Sequence, residues 1–320
     1  MEIEIASSER NPSPVFLVSP VRSGSTLLRL MLDSHPGISN PGECDFLLDM
    51  LGDDGAFPDT ESYVRWLSTN RIYLAKKLKI DARLSSEALV KSFVDQLRRE
   101  NAMLTMNLHR HFHRALAVFP TARFIHLLRD PRDVAMSCLR MGWGGHVYHT
   151  VDIWRDAELS WERLRSSLAS EQFIEIRYEH LVDDIPGVLG SICTFLGVPY
   201  SERMLDYSTN STYGPPDRKL CYQWRKSYAI DELRLVEGKI GKMLVDRGYE
   251  LSGYPVQIPG PLLASELYLT GKWRRARHQI GAYGMPLYFS TFLANRLGMK
   301  DWQDRCRIRK NAIDIRERLK

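Results

Sequence analysis

Residues 14–32 read P-V-F-L-V-S-P-V-R-S-G-S-T-L-L-R-L-M-L, and they predict a strand, a polar turn and a helix in succession. The short apolar run at 15–18 is typical of a strand that is buried on both faces of a parallel sheet. The leucine-rich run at 27–32 predicts a helix that stops before His35 and Pro36. A turn of this kind presents the free N–H groups of a helix N-terminus, where phosphate and sulfate groups bind favourably.

Strands and helices alternate along most of the chain. Two more strands and five more helices are predicted, at 123–128 and 173–177 for the strands and at 86–99, 132–140, 153–168, 188–196 and 231–245 for the helices. This alternation favours an α/β fold with a doubly wound, mainly parallel sheet flanked by helices. Ligands of such sheets bind at the carboxyl ends of strands, which here are residues 19–26 and 129–137.

Composition excludes several classes of protein. The 320 residues are 44% hydrophobic and 26% charged, which is too apolar for a disordered chain and sufficient for a large core. The formal charge of +5 is unevenly placed, because residues 271–320 carry 13 Lys and Arg against 4 Asp and Glu, whereas the first 270 residues carry 31 against 35. The chain has five cysteines but no CxxC pair, and its acidic start lacks a signal-peptide pattern. These observations predict a cytoplasmic protein.

The polar turn after the first strand suits an anion. Arg22 supplies a full charge in a planar fork, Gly24 lets the backbone approach closely, and Ser25 and Thr26 supply hydroxyl donors. The turn is not a Walker A loop, because GxxxxGK[ST] is absent and no Lys precedes the Ser/Thr pair. From this loop alone, a strand–helix turn without a ligand is an equal alternative.

A second cationic element follows the predicted strand at 123–128. Arg129 stands at the end of that strand, Pro131 suits a first helical turn, and Ser137 lies eight residues beyond Arg129. The arginine could reach a second anionic group beside the first. Taken alone, a surface Arg–Asp pair and an ordinary helix serine would be the favoured explanation of these residues.

Together these segments resemble the sulfotransferase family, whose enzymes use 3′-phosphoadenosine 5′-phosphosulfate (PAPS) as donor. Four motifs stand in the order of the family: P-V-R-S-G-S-T-L-L, R-F-I-H-L-L-R-D-P-R-D-V-A-M-S, F-I-E-I-R-Y-E-H-L-V-D-D with F-L-G-V-P-Y, and C-Y-Q-W-R-K-S-Y-A-I-D-E-L. The resemblance covers about residues 14–254 and implies the P-loop NTPase-like sulfotransferase architecture, of bacterial type. We predict a sulfotransferase domain at 14–258 and a basic, partly helical extension at 259–320, packed on the domain or at a membrane surface.

The resemblance also implies which residues hold the donor. The first loop would bind the 5′-phosphosulfate, the second motif the 3′-phosphate, and a tyrosine and a late W-R-K element the remaining nucleotide. In this sequence they are Arg22, Ser23, Gly24, Ser25, Thr26, Arg129, Ser137, Tyr178, Trp224, Arg225 and Lys226. Val21 separates a proline and an arginine that are usually adjacent, but the charge is kept. Core packing is the alternative for Trp224.

The implied reaction is in-line transfer of a sulfuryl group to a hydroxyl, or less often an amine, without a metal ion. Arg22 and the loop amides would stabilise charge on the leaving phosphate. Two residues are candidate bases: Glu43, in an N-P-G-E segment like that of some sulfotransferases, and His109, near the K-T-H histidine of others although the lysine is missing. His146 and His149 are further alternatives, and His109 would otherwise be a solvent-facing helix residue.

Two other functions are compatible with these motifs. One is a non-catalytic module that binds PAPS or its product, 3′-phosphoadenosine 5′-phosphate (PAP), and the other is an ATP-dependent phosphotransferase, against which the missing P-loop lysine argues. The acceptor could be a small molecule, a glycan or a lipid, because variable loops build acceptor pockets.

The basic extension has two interpretations as well. Basic and aromatic residues beside the apolar stripe at 285–297 can mark peripheral membrane contact, but a helix packed on the domain with solvated charges is the preferred interpretation. No nucleic-acid-binding motif accompanies the charge, so no nucleic-acid partner is predicted. The oligomeric state stays open.

Overall fold

Five parallel strands form one sheet in the order β2–β3–β1–β4–β5. The structure is a computed structural model that describes residues 13–317. Its strands are Val15–Val18 (β1), Ile38–Ser39 (β2), Met103–Leu108 (β3), Arg123–Leu128 (β4) and Phe173–Arg177 (β5). The three predicted strands are confirmed with the same bounds, and β2 and β3 were not predicted.

Helices follow every strand, and 14 α-helices lie in the described part of the chain. They are Ser25–Asp33 (α1), Thr60–Leu67 (α2), Arg71–Lys76 (α3), Ser86–Leu97 (α4), Ala115–Val118 (α5), Pro131–Arg140 (α6), Val147–Arg165 (α7), Tyr178–Asp183 (α8), Ile185–Leu196 (α9), Trp224–Ser227 (α10), Ile230–Asp246 (α11), Pro261–Tyr283 (α12), Met285–Arg296 (α13) and Lys300–Glu317 (α14). The predicted helices are confirmed with shifted ends. The largest shift is at α7, which begins six residues before the predicted start.

The two faces of the sheet bury alternate residues of each strand. On one face, Leu17 and Ile125 join buried residues of α1 and α9 in a single apolar cluster. On the other face, His126 stacks on Trp161 of α7 with the ring centroids 4.4 Å apart. The doubly wound arrangement predicted from the sequence is therefore confirmed.

His126 forms a buried charged cluster on β4. Its Nε2 lies 3.1 Å from Oε1 of Glu158, and its Nδ1 lies 3.0 Å from Oε2 of Glu175. Burial alone would lower the pKa of this imidazole, but the attraction of Glu158 and the hydrogen bonds to both carboxylates outweigh burial and raise the pKa above 6.5. The cluster ties α7 and β5 to the middle of β4.

The described chain divides into two compact units. The first comprises Lys79–Arg129, Asp156–Cys221 and the described residues up to Thr60, and it contains the whole sheet. The second comprises Glu61–Leu78, Asp130–Arg155 and the described residues from Tyr222 onward. The predicted boundary after residue 258 stays a prediction.

Within the second unit, α12 packs closely on the loop at 142–145. The carbonyl oxygen of Gly271 lies 1.9 Å from the position that a Cβ atom on Gly145 would occupy, so no side chain fits at Gly145. Among residues 13–317, no helix combines the length and the apolar character that crossing a bilayer requires.

We predict that the His126 cluster makes stability fall as pH rises. Because the pKa of His126 is raised in the folded state, its contribution to the free energy of unfolding is fully present below pH 6.5. That contribution is lost as pH rises through the higher pKa of the folded state. Urea unfolding at pH 6 and pH 9 should show this fall. In Glu158→Gln the fall should be shallower, because the charge that holds the proton is gone. Glu162→Gln, an exposed change on the same helix, is the control, and equal slopes in all three proteins would contradict the assignment.

Candidate active site

The loop between β1 and α1 has an unusual backbone that the Tyr178 ring covers. Gly24 is the N-cap of α1 with φ +92°, and Arg22 has φ +68°, which is uncommon for a residue with a side chain. A Cβ atom on Gly24 would lie 2.3 Å from Cδ2 of Tyr178. The aromatic ring therefore packs directly on the loop backbone, and only glycine permits this approach.

The same loop offers an unmade hydrogen bond. Ser23 is fully buried, and its hydroxyl has no hydrogen-bond partner among residues 13–317. A buried polar group without a partner costs about 1–3 kcal/mol, which a ligand oxygen at this position would recover. The N-terminus of α1 adds backbone N–H groups and a partial positive charge. The loop therefore fits a phosphate or sulfate group.

Arg129 joins the second motif to this loop. Its Nη1 donates to the carbonyl oxygen of Arg22 at 3.0 Å, and its Nη2 donates to the carbonyl oxygen of Leu220 at 2.6 Å. Its guanidinium lies over the ring of Tyr178, with Cζ 4.6 Å from the centroid. Burial raises the pKa of Tyr178 to about 12 against the opposing charge of Arg129, so the phenol stays neutral. The structure thus brings together four of the residues that the sequence predicted to bind the donor, namely Arg22, Gly24, Arg129 and Tyr178.

Backbone pairing with β3 fixes the position of Glu43. Glu43 forms a parallel bridge with Asn107, in which the N–H of Cys44 donates to Asn107 O at 2.9 Å and the N–H of Asn107 donates to Gly42 O at 3.0 Å. The Asn107 side chain donates to the carbonyl oxygen of Ser25 at 3.5 Å. These bonds hold Glu43 beside the carboxyl end of β3 and connect its segment to the first turn of α1.

The two candidate bases are neighbours. Nε2 of His109 lies 3.7 Å from Oε1 of Glu43, which is an ion-pair distance but too long for a hydrogen bond. Nδ1 of His109 donates to the carbonyl oxygen of Ser19 at 3.0 Å, because a carbonyl can only accept. In the neutral imidazole, Nε2 therefore carries the lone pair on the side of Glu43. The sequence left open which residue acts as the base, and the structure brings both to one site.

Sequence reasoning missed the residues that hold His109. The expectation that His109 is otherwise a solvent-facing helix residue is wrong, because His109 follows strand β3 and is buried. Its backbone N–H donates to Oδ1 of Asp45 at 2.7 Å. The alternation of polar Thr105 and Asn107 with apolar neighbours was the available signal for this strand.

The late motif lies in the second unit. Trp224 is buried there, its indole Nε1 donates to Oδ2 of Asp130 at 2.9 Å, and its backbone N–H donates to Oδ1 of Asp133 at 2.8 Å. The guanidinium of Arg132 stacks on the indole with Cζ 3.6 Å from the centroid. These contacts give Trp224 a structural role, which agrees with the core-packing alternative.

A cavity of about 680 Å³ borders this motif within the second unit, and Arg132, Trp224 and Arg225 are among its lining residues.

The remaining predicted site residues are placed as follows: Arg225 and Lys226 are exposed, and Ser137 is half-buried on α6. His146 and His149 also belong to the second unit. The other predicted site residues belong to the first: Arg22, Ser23, Gly24, Ser25, Thr26, Glu43, His109, Arg129 and Tyr178.

Comparison with known proteins identifies the family. The sequence profile of the sulfotransferase family matches residues 14–202, which is more than half of the chain. The chain belongs to the sulfotransferase family. It is therefore a transferase, as the motifs predicted, and the match includes both predicted anion-binding segments and both candidate bases.

The relatives found among known proteins share little sequence identity with this chain. A Caenorhabditis briggsae protein that bears the provisional name protein-tyrosine sulfotransferase is 23% identical over 266 residues, covering 74% of this chain and 89% of that protein. An uncharacterised Aquifex aeolicus protein is 25% identical over 225 residues, covering 64% of this chain but only 28% of its own length.

Two solved sulfotransferase domains share the fold. The domain of the curacin biosynthetic pathway is 20% identical, with a TM-score of 0.58 and coverage of 76% of this chain and 99% of that domain. The domain of the Synechococcus PCC 7002 olefin synthase is 24% identical, with a TM-score of 0.50 and coverage of 72% of this chain and 95% of that domain. These likenesses confirm the predicted sulfotransferase architecture.

We predict that Gly24→Ala damages the loop. The new Cβ atom would collide with Tyr178 and would strain a backbone at positive φ, so the free energy of unfolding should fall by about 1–3 kcal/mol. Chemical denaturation measures the change. Gly190→Ala on α9 is the control, because a Cβ atom there meets nothing within 4 Å. A Gly24→Ala protein as stable as the Gly190→Ala protein would show that Tyr178 does not pack on the loop.

Proposed function

We propose that this sulfotransferase uses PAPS as donor and transfers its sulfuryl group to an acceptor hydroxyl. The observation that carries the proposal is a single site in the first unit, where the β1–α1 loop meets the Glu43–His109 pair. His109 bonds to Ser19 at the start of the loop, and Asn107 bonds to Ser25 at its end. A base and an anion-binding loop are thus tied to the same backbone.

The donor contacts follow from the loop and from Arg129. The N–H groups at the start of α1, the Ser23 hydroxyl and the Arg22 side chain would hold the 5′-phosphosulfate. Arg129 would hold the 3′-phosphate while keeping its bond to the carbonyl oxygen of Arg22. Arg225 and Lys226 are exposed, and their part in donor binding is proposed from the family motif alone.

Exposure favours Glu43 over His109 as the base. The Glu43 side chain is 46% exposed, whereas the His109 side chain is only 4% exposed. An acceptor hydroxyl can therefore reach the carboxylate but not the imidazole. His109 acts as a positioning residue, because its bond to Ser19 fixes the ring and directs its Nε2 lone pair to the carboxylate.

The proton and the sulfuryl group move in opposite directions. The acceptor oxygen forms its bond to sulfur while the bond between sulfur and the bridging oxygen of the leaving phosphate breaks. Glu43 takes the hydroxyl proton, and the resulting carboxyl group has the Nε2 lone pair of His109 as a neighbouring acceptor. Positive charge from Arg22 and the loop amides stabilises the leaving phosphate. Positioning and electrostatics supply the catalysis, as in phosphoryl transfer.

The acceptor class is a hydroxyl of a small molecule, a glycan or a lipid. Its identity is best found with labelled PAPS and a panel of phenols, glycans, lipids and a tyrosine peptide. The tyrosine peptide is included because of the name of the Caenorhabditis relative. Transfer of label from ATP instead of PAPS would support the phosphotransferase alternative.

We predict that Glu43→Gln lowers kcat by about 100-fold or more with the best acceptor, because general-base catalysis contributes roughly that much. PAP affinity, measured by calorimetry, should change less than twofold, since the amide keeps the shape of the side chain. Glu171→Gln, an exposed change in the same unit, is the control. Unchanged turnover in Glu43→Gln would remove Glu43 as the base, and retained PAP binding without any turnover in the wild-type protein would support the non-catalytic alternative.

We predict that Arg129→Ala weakens PAP binding by roughly tenfold or more, because the anion loses a charged hydrogen-bond donor. Calorimetry with PAP measures the affinity directly. Arg203→Ala removes an exposed arginine elsewhere in the first unit and should bind PAP normally. Equal affinities in the two variants would show that the 3′-phosphate site is misassigned.

A further inference from the structure

Helix α12 buries one side and exposes an apolar stripe on the opposite side. Leu262, Leu269 and Trp273 are spaced by seven and four residues, which places them on one stripe, and they are 90%, 65% and 61% exposed. The buried residues of the helix, Leu267 and Gly271, lie on the opposite side of the helical wheel. Packing within the protein therefore accounts for one apolar face and leaves the other in contact with solvent.

Helix α13 repeats this arrangement. Met285, Phe289, Phe292 and Leu293 fall within one arc of the helix, and each is between 44% and 58% exposed. Ala294, its buried residue, lies on the opposite side. The stretch from 281 to 295 contains no charged residue at all. Large apolar side chains that stay exposed over two consecutive helices are uncommon on a surface that faces only water.

Basic residues flank this uncharged stretch on both sides. Four of the six residues from Lys272 to Arg277 are basic, and so are four of the six from Arg305 to Lys310. Both clusters are mainly exposed. We call the exposed apolar stripes of α12 and α13, together with these two basic clusters, the basic apolar surface.

We propose that the basic apolar surface docks this sulfotransferase on the surface of an anionic lipid bilayer. The apolar stripes would enter the boundary between headgroups and acyl chains, where Trp and Phe side chains are favoured, while the basic clusters remain at the level of the lipid phosphates. Anionic lipid attracts each nearby Lys or Arg. The excess of positive charge in residues 271–320 is thus matched by the charge of the partner.

Charge also decides between a bilayer and other occupants. A second copy of the chain would bring two such positive segments together, and the repulsion would oppose burial of the apolar stripes. A nucleic acid would satisfy the basic clusters but would give the stripes on α12 and α13 no apolar environment. An anionic bilayer satisfies both requirements at once.

Vesicle co-sedimentation of the full chain tests the proposal, without donor or acceptor. Vesicles of phosphatidylcholine alone are compared with vesicles that contain 30% phosphatidylglycerol, a composition chosen on the order of natural anionic membranes. The wild-type protein should sediment with the anionic vesicles and lose most of its binding in 1 M NaCl, where charges are screened within about 3 Å. Because the assay needs no catalytic turnover, its failure would leave the proposed function untouched.

Two double variants separate the apolar and the charged contributions. Phe289→Ser/Phe292→Ser should weaken binding by about tenfold or more, since two rings that would enter the bilayer are lost without any change in charge. Arg305→Gln/Arg309→Gln should weaken it by about 30-fold, at the usual strength of the attraction per basic residue. Leu74→Ser/Val245→Ser, which removes two exposed apolar side chains outside α12–α14, is the matched control and should bind normally. Circular dichroism and thermal unfolding confirm that each variant is folded.

Several outcomes would overturn the proposal. Binding that resists the phenylalanine changes would show that the stripes do not enter the bilayer. Tight binding to a DNA or RNA duplex without sedimentation on vesicles would assign the surface to nucleic acid. A dimer in analytical ultracentrifugation that the phenylalanine changes dissociate, again without vesicle binding, would assign it to a second copy of the chain.

Discussion

Strand β1 is only four residues long, yet it pairs with β3 on one side and with β4 on the other. Every catalytic proposal depends on this double pairing. Because all three strands are parallel, their carboxyl ends emerge at the same edge of the sheet, where Ser19, His109 and Arg129 follow directly. A slip of one residue in either pairing would turn side chains to the opposite face and separate these groups.

Local geometry, more than total charge, prepares the site for an anion. The first 270 residues contain more acidic than basic groups, so the bulk of the chain does not attract phosphate by its net charge. In the proposed site the attraction would come from the N-terminus of α1, from Arg22 and from Arg129, which a carbonyl oxygen and an aromatic ring hold in place. Not every arginine is available for an anion. Buried Arg132, for example, forms ion pairs with Asp130 and Glu237.

The sequence predicted those parts of the fold that rest on local patterns. Apolar runs predicted β1, β4 and β5 with correct bounds, and the motif residues Arg22, Arg129 and Tyr178 do meet at one loop. Strand β3 was not predicted because polar Thr105 and Asn107 interrupt its apolar run, and the hydrogen-bond partners of these two side chains lie far away in the chain. For the same reason the pairing of Glu43 with Asn107 could not be predicted, since it depends on a strand neighbour 64 residues away in sequence.

The close approach of Gly271 to Gly145 couples two distant parts of the sequence through a backbone contact. A protein that packs this helix in the same way must keep a glycine at the position of Gly145, because a methyl group there would displace the carbonyl oxygen of Gly271. A relative without the extension is under no such restraint. Gly145 can therefore serve as a sequence marker of whether the extension packs as it does in this protein.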